Sequence, residues 1–148
     1  MKFYSQFNDL EGGRFISFTD SQIFINGKMI NMEQGHDITN VSITKDKVFV
    51  LFTIQDGCTF DELPRNNIFI YDFDGNFLCN IGDITGETWP FSAIRINSAK
   101  TIKNEPLTDS LTTIDGHEYL VCLTYGNLRF IVDITDMKLI HKDSGRFH

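Results

Sequence analysis

The stretch NNIFIYDFDGNFLCNIGDITGETWP, from Asn66 to Pro90, decides the fold of this chain. Its first half contains two runs of β-branched and aromatic residues, which the pair Asp74-Gly75 separates. An Asp-Gly pair suits the positive φ angles of a tight hairpin, and such runs are typical of strands. The stretch therefore predicts two antiparallel strands, over Asn67 to Phe73 and Asn76 to Ile81.

Alternation with a period of two residues extends over most of the 148-residue sequence, and no segment shows the pattern of a long helix. A second tight turn is expected at Asn26-Gly27. Segments 58–65 and 98–112 fit neither pattern and are predicted to be loops. At this length we expect one all-β domain over residues 1–148. The other predicted strands are 14–19, 22–25, 29–32, 40–44, 48–54, 91–97, 119–125, 128–134 and 138–141.

A unit of strand, turn and strand recurs along the sequence. It begins at Gln22 (QIFINGKMINM), at Asn67 (NIFIYDFDGNFLCNI) and at Leu128 (LRFIVDITDMKLIHK). The second and third units align with Asp72 over Asp133, and two further predicted strands precede each of them. The sequence thus predicts two four-stranded antiparallel meanders and a partial first one.

The second unit resembles a known family. Read from Asn66, the pattern N-x-I-x-I-Y-D-x-D-G-x-F-L-x-x-I-G, followed by Pro90-x-x-x-Ile94, resembles a blade junction of an NHL-type β-propeller. In that family the outer hairpin turns at an Asp-Gly, a Gly ends the outer strand, and a Pro precedes the inner strand of the next blade. The resemblance is good over residues 66–97, fair over 40–54 and weak elsewhere.

This resemblance implies about three propeller-blade-like units. Because closed propellers typically have four to eight blades, we expect an open arc of consecutive antiparallel meanders. A ring completed by a second chain is one alternative. An antiparallel β-sandwich or barrel with similar hairpins is another.

The motifs of common catalytic and metal sites are missing from the sequence. The histidines have no H-x-x-x-H spacing, and none lies near a cysteine at ligand spacing. The segment from Asp72 to Asp83 has acids at alternate positions, but Phe77 stands where a calcium loop needs glycine. There is no phosphate-binding glycine loop and no G-x-S-x-G nucleophile motif. We therefore predict a protein that is not an enzyme and has no catalytic residue, cofactor or metal site.

The balance of charge indicates a cationic partner. The 20 acidic and 13 basic residues give a net charge of -7 and a pI of about 4.9. Such a field repels nucleic acid and anionic membranes. The amino terminus lacks the apolar run of a signal peptide, no segment has the roughly 20 apolar residues of a membrane span, and the cysteines are scattered. We therefore expect a cytoplasmic location, with neither a nucleic-acid nor a membrane partner.

The acidic residues gather in three predicted loops. One contains Asp56, Asp61 and Glu62, the second contains Asp83 and Glu87 beside Trp89, and the third contains Asp109, Asp115 and Glu118. Acidic loops at one end of a meander would attract a basic protein, and an aromatic side chain would anchor it. The plainer interpretation is that the acids are solvated and that Trp89 caps the sheet core. The predicted partner-binding residues are Asp56, Asp61, Glu62, Asp83, Glu87 and Trp89.

In size, acidity, single domain and absence of catalytic motifs, the chain resembles bacterial immunity proteins. That resemblance implies an inhibitor that places carboxylates where a nuclease toxin would bind phosphates. The alternative is a sugar-binding or small-ligand-binding propeller fragment that self-associates as a homodimer, with an aromatic-lined pocket. A third hypothesis, an enzyme, would need a cluster of carboxylates or histidines with perturbed pKa values.

Overall fold

The computed structural model of the chain describes residues 5–9, 14–32, 36–54, 66–87, 90–105 and 111–144. A 3-10 turn at Ile102–Asn104 and one short helix are the helical elements of these residues, and neither is long and apolar enough to cross a membrane. The elements, in chain order, are β1 (Ser5–Asp9), β2 (Arg14–Phe18), β3 (Gln22–Ile25), β4 (Lys28–Asn31), β5 (His36–Ile43), β6 (Lys47–Ile54), β7 (Ile68–Asp72), β8 (Phe77–Asn80), α1 (Gly82–Thr85), β9 (Phe91–Ser98), β10 (Glu118–Thr124), β11 (Leu128–Asp133) and β12 (Lys138–Ser144).

The described strands form three antiparallel sheets of four strands each: sheet 1 (β1–β4), sheet 2 (β5–β8) and sheet 3 (β9–β12). In every sheet each strand pairs with its neighbours in sequence. The prediction of an all-β fold built from consecutive antiparallel meanders is confirmed.

Sheet 1 is a complete meander, whereas the sequence predicted a partial one. Strand β1 pairs with β2 from Ser5 opposite Phe18 to Asp9 opposite Arg14. Its sequence, SQFND, contains a single apolar residue, so hydrophobic alternation did not reveal it. Strand β5 likewise begins at His36, four residues before the predicted strand, and a register shift at Thr39 interrupts its alternation.

The hairpin turns follow from local chemistry. Asp72 Oδ1 accepts hydrogen bonds from the N–H groups of Asp74 and Asn76, both at 2.9 Å. The bond from the backbone of Asn76 is the main reason that the pKa of Asp72 is lowered. Asp133, which the alignment of the repeats pairs with Asp72, also accepts backbone hydrogen bonds in its turn: the N–H groups of Thr135 and Asp136 donate to its Oδ1, both at 3.0 Å.

Strand β6 of the central sheet 2 is buried on both faces. Val48 and Val50 pack in one hydrophobic cluster with sheet 1, while Phe49 and Leu51 pack in a second cluster with sheet 3. Side chains alternate between the two faces of a strand, so the continuous apolar run of β6 supplies both clusters. A third cluster lies on the outer face of sheet 3, where Ile102 and the segment 99–105 cover the sheet.

A single buried amide joins sheets 2 and 3. The side chain of Asn67 donates from Nδ2 to the carbonyl oxygens of Phe52 (2.9 Å) and Phe91 (2.8 Å). Its Oδ1 accepts from the N–H of Phe91 at 2.7 Å, and the residue is only 1% exposed. The amide therefore holds the end of β6 against the start of β9.

Replacing Asn67 with Leu should lower the free energy of unfolding by about 3 kcal/mol, because buried backbone groups of Phe52 and Phe91 lose their partners. Urea unfolding followed by circular dichroism measures the change. The control is Asn104→Leu at an exposed position, where we expect less than about 0.5 kcal/mol. Equal losses for the two variants would contradict a special role for Asn67.

Candidate functional site

The described segments that connect the strands lie at two opposite edges of the sheets. Segments 19–21, 66–67, 81–87 and 125–127 are at one edge, which hydrogen bonds between neighbouring segments hold together. Ile38 N–H donates to Asp20 O (2.8 Å), and Tyr125 N–H donates to Pro90 O (3.3 Å). At the opposite edge Asn26 Nδ2 donates to Phe73 O at 3.0 Å.

The described connecting segments of the first edge contain acids and no Lys or Arg. Arg129, the second residue of β11 at the same edge, is buried and paired with Asp143. The connecting segments contribute Asp20, Asp83 and Glu87, and Asp37 is the second residue of β5 at the same edge. Asp20 and Asp83 are exposed, while Asp37 and Glu87 are half-buried. We call these four residues the acidic edge. The opposite edge mixes both signs of charge, since Lys45, Lys100 and Lys103 stand among its acids.

Helix α1 fixes Asp83 on the acidic edge. Asp83 N–H donates to Asn80 Oδ1 at 3.2 Å, and Asn80 N–H donates to Asp83 Oδ2 at 3.4 Å. This exchange resembles a capping box, and it satisfies N–H groups at the start of the helix. Gly86 ends the helix in the left-handed conformation, with φ of 73° and its N–H bonded to Gly82 O.

A glycine lets the neighbouring segment approach this helix. A Cβ placed on Gly82 would lie 1.7 Å from Oδ1 of Asn66, so only glycine leaves room for that side chain. Asn66 precedes Asn67 and has a positive φ of 57°. The close contact brings the end of the β6–β7 connection beside α1.

The structure places two of the predicted partner-binding residues on the acidic edge. Asp83 and Glu87 lie there together, whereas Asp56, Asp61, Glu62 and Trp89 lie outside the described residues. Asp115 and Glu118 of the third predicted acidic loop lie at the opposite edge, away from Asp83 and Glu87 of the second. Glu118 Oε1 accepts there from Lys45 N–H at 3.3 Å.

Sequence reasoning missed three other residues at this edge: Asp20, Asp37 and Tyr125. No local sequence pattern indicates that the β2–β3 turn and the start of β5 lie at the same edge as the β8–β9 link. Tyr125 is 43% exposed, and its N–H bond to Pro90 O places it beside the segment that contains Glu87. Tyr125 is thus an exposed aromatic residue at the same edge as these carboxylates.

A second group of titratable side chains lies at the opposite edge. His117 Nδ1 is 2.8 Å from Asp133 Oδ2 and 3.9 Å from Asp136 Oδ2. Burial acts to raise the pKa of Asp133, but hydrogen bonds from the Asp136 N–H and from His117 bring that pKa below its usual value. The three residues could together hold a cation. Both oxygens of the Asp133 carboxylate are already hydrogen-bonded: Oδ1 accepts from N–H groups of its own turn, and Oδ2 is bonded to His117. These bonds give the three residues a structural role.

A buried ion-pair network covers the outer face of sheet 3. Arg129, whose side chain is 1% exposed, donates twice to the carboxylate of Asp143 and once to Glu105 Oε2 at 3.4 Å. Glu105 also accepts from Arg95 Nε at 2.7 Å and Nη2 at 2.9 Å. The bond from Arg129 lowers the pKa of Asp143, and the bonds from Arg95 lower that of Glu105. The network fastens segment 99–105 to the sheet.

A cavity of about 460 Å³ lies on the same face, between segment 111–114 and the β11–β12 hairpin. A bulge in β12 inserts Ile140 between the partners of Ile131 and Val132, and His141 and Ile140 both line the cavity. Among the described residues that line it there is no Phe, Tyr or Trp. This cavity is not the aromatic-lined pocket that the ligand-binding alternative predicts.

The chain matches none of the protein-family models, curated proteins or solved structures with which it was compared.

Replacing Asp143 with Asn should lower the free energy of unfolding at pH 7 by about 3 kcal/mol, because the buried Arg129 loses one of its charged partners. The folded-state pKa of Asp143 is lowered, so its contribution is complete above the ordinary value of about 3.9 and is lost as the pH falls through the folded-state pKa. The difference between wild type and variant should therefore shrink below about pH 4. Urea unfolding between pH 3 and pH 7, with exposed Asp115→Asn as control, measures it. A pH-independent difference would contradict this account.

Proposed function

We propose that this chain is a non-enzymatic protein-binding module whose acidic edge binds a cationic partner. Its most concrete form is an immunity or inhibitor protein that neutralises a basic partner such as a nuclease toxin. Carboxylates of the acidic edge would then bind at the positions where the nuclease binds nucleic-acid phosphates.

The observation that supports this proposal is the separation of charge between the two edges. The described connecting segments of the acidic edge contain carboxylates and no cation, whereas the opposite edge has lysines among its acids. The segment that contains Asp56, Asp61 and Glu62 runs from Ile54 to Asn66, and both of these ends are at the acidic edge. Exposed carboxylates of one sign raise the rate of encounter with a basic protein.

The acidic edge also offers an aromatic contact. Tyr125 is 43% exposed, and Trp89 stands between Glu87 and the described Pro90 in sequence. Aromatic rings beside carboxylates suit Arg and Lys side chains, which stack on the ring face while their charge is paired. A basic partner is therefore a better fit than an uncharged ligand.

We further propose that the three sheets are blade-like units of an open arc. Strands β5 and β9, the first strands of two successive meanders, are in contact, as inner strands around a propeller axis would be. Asn67 supports this arrangement by bonding the end of β6 to the start of β9. In such an arc the acidic edge would be one end of the blades, where propellers often bind their partners.

Charge reversal at the acidic edge should abolish partner binding. Immobilised wild-type protein should retain a basic protein from a lysate of its native host and release it as salt rises, because the contact is electrostatic. The variant Asp20→Lys with Asp83→Lys should retain at least tenfold less at about 0.15 M salt. Mass spectrometry and gel densitometry identify and quantify the retained protein.

The matched control is Asp46→Lys with Asp115→Lys, which makes the same change of charge at exposed positions of the opposite edge. It should bind like the wild type, and circular dichroism should show that both variants fold. A third variant, Asp61→Lys with Glu62→Lys, tests the segment between Ile54 and Asn66. Equal capture by the acidic-edge and control variants, or a captured protein that is not basic, would overturn the proposal.

A further inference from the structure

The cavity beside the β11–β12 hairpin is built by two separate parts of the chain. Segment 111–114 forms one side of it, and residues of β11 and β12 form the other. Its volume of about 460 Å³ is within the range of small-molecule binding sites. We call it the hairpin cavity.

Half of the described residues that line the hairpin cavity are aliphatic. Ile114 is 45% exposed and belongs to no hydrophobic cluster of the described core. Its N–H donates to the hydroxyl of Tyr119 at 2.8 Å, which fixes the segment over the sheet. Covering an exposed aliphatic side chain removes apolar surface from water, so this wall favours a ligand with an aliphatic group. The four aliphatic residues are Leu111, Ile114, Leu139 and Ile140.

Asp133 supplies a negative charge at the wall of the hairpin cavity. Its side chain is only 2% exposed, and its pKa lies below the usual value because hydrogen bonds outweigh the effect of burial. The carboxylate is therefore charged at pH 7. A carboxylate has about four acceptor positions, and bonds from Thr135, Asp136 and His117 use three of those on Asp133. One position on Oδ2 remains for a donor from a ligand.

Lys138 supplies a positive charge to the same cavity. Strand pairing places it opposite Asp133, but that carboxylate is bonded to His117 and to its own turn instead. In the part of the chain that the structure describes, no acid forms an ion pair with Lys138. The side chain is exposed, so its ammonium group is available to an anion in the cavity.

His141 adds a second nitrogen donor beside Lys138. The bulge in β12 brings both Ile140 and His141 to the cavity. Nε2 of His141 is buried and lies 3.2 Å from Asp143 Oδ2, whereas Nδ1 has no hydrogen-bond partner among the described residues. An imidazole nitrogen that carries a proton can donate to a carboxylate.

We propose that the hairpin cavity binds an aliphatic α-amino acid in its zwitterionic form. The ammonium group of the ligand would pair with Asp133, and its carboxylate with Lys138 and His141. Its side chain would cover Ile114 and Ile140. An aliphatic anion would leave the charge of Asp133 unpaired, and an aliphatic amine would leave that of Lys138 unpaired, so a ligand with both charges fits best.

Isothermal titration calorimetry of the full chain with L-leucine at pH 7 tests the proposal. The dissociation constant should be on the order of 0.1 mM, as suits a small ligand with two charged groups. Three analogues each lack one part of leucine: isocaproate lacks the ammonium group, isoamylamine the carboxylate, and glycine the side chain. Each should bind about tenfold more weakly or worse. Two-dimensional NMR spectra should show that L-leucine shifts the amide signals of segments 111–114 and 138–141.

A matched pair of variants tests the role of the cation. Lys138→Met keeps the aliphatic stem and removes the charge, so L-leucine should bind about tenfold more weakly, whereas isoamylamine should bind as it does to the wild type. Lys142→Met makes the same change on the same strand. Its ammonium group lies over the ring of Phe130, and the residue does not line the cavity, so this control should bind L-leucine like the wild type. Circular dichroism confirms that both variants fold.

Several results would overturn the proposal. They are the absence of binding at about 10 mM L-leucine, an equal affinity for isocaproate or isoamylamine, amide shifts elsewhere in the chain, or equal weakening by the two lysine variants. The analogues act on the wild-type chain, so they keep the test decisive if a variant fails to fold. Since the hairpin cavity shares no residue with the acidic edge, the result is independent of the proposed function.

Discussion

The three hydrogen bonds of the buried Asn67 amide are the constraint on which the arrangement of sheets 2 and 3 depends. Apolar contacts in the core hold the sheets together, but they are non-directional. By themselves they do not define the position of one sheet relative to the other. The amide bonds backbone groups of Phe52 and Phe91 and so fixes one position. Phe91 begins β9, and the link that contains Asp83 and Glu87 ends just before it. The buried side chain of Asn67 therefore helps to position the link that contributes Asp83 and Glu87 to the acidic edge.

Burial of β6 on both faces also explains where charge can lie. The middle of the central sheet offers no polar face to a chain with 20 acidic and 13 basic residues, so the charges occupy the edges and the outer surfaces. One cation, Arg129, is nevertheless fully buried, and it is paired with carboxylates from β12 and from segment 99–105. Such a pair costs desolvation free energy and gives in return a defined position for the covering segment.

Much of the strand pattern could be predicted from the sequence, because β6, β7, β10 and β11 are strongly apolar and the Asp-Gly and Asn-Gly turns have distinctive chemistry. Strand β1 was missed since it is polar and gains its place by pairing with β2. Asp83 and Glu87 could be predicted as one group because they are close in sequence. Asp20 and Asp37 could not, since only the stacking of sheets brings their segments to the same edge. The burial of Arg129 could not be predicted either, because its carboxylate partners are 14 and 24 residues away in sequence.

Within each sheet, every described strand pairs with its neighbours in sequence, and this has a consequence for how the chain folds. Hairpins close short loops, so their entropic cost is small and each meander can form before the sheets meet. Contacts between sheets then join units that are already next to each other along the chain. Such a modular order favours fast folding through local nuclei, and it allows a terminal sheet to open while the other two remain paired.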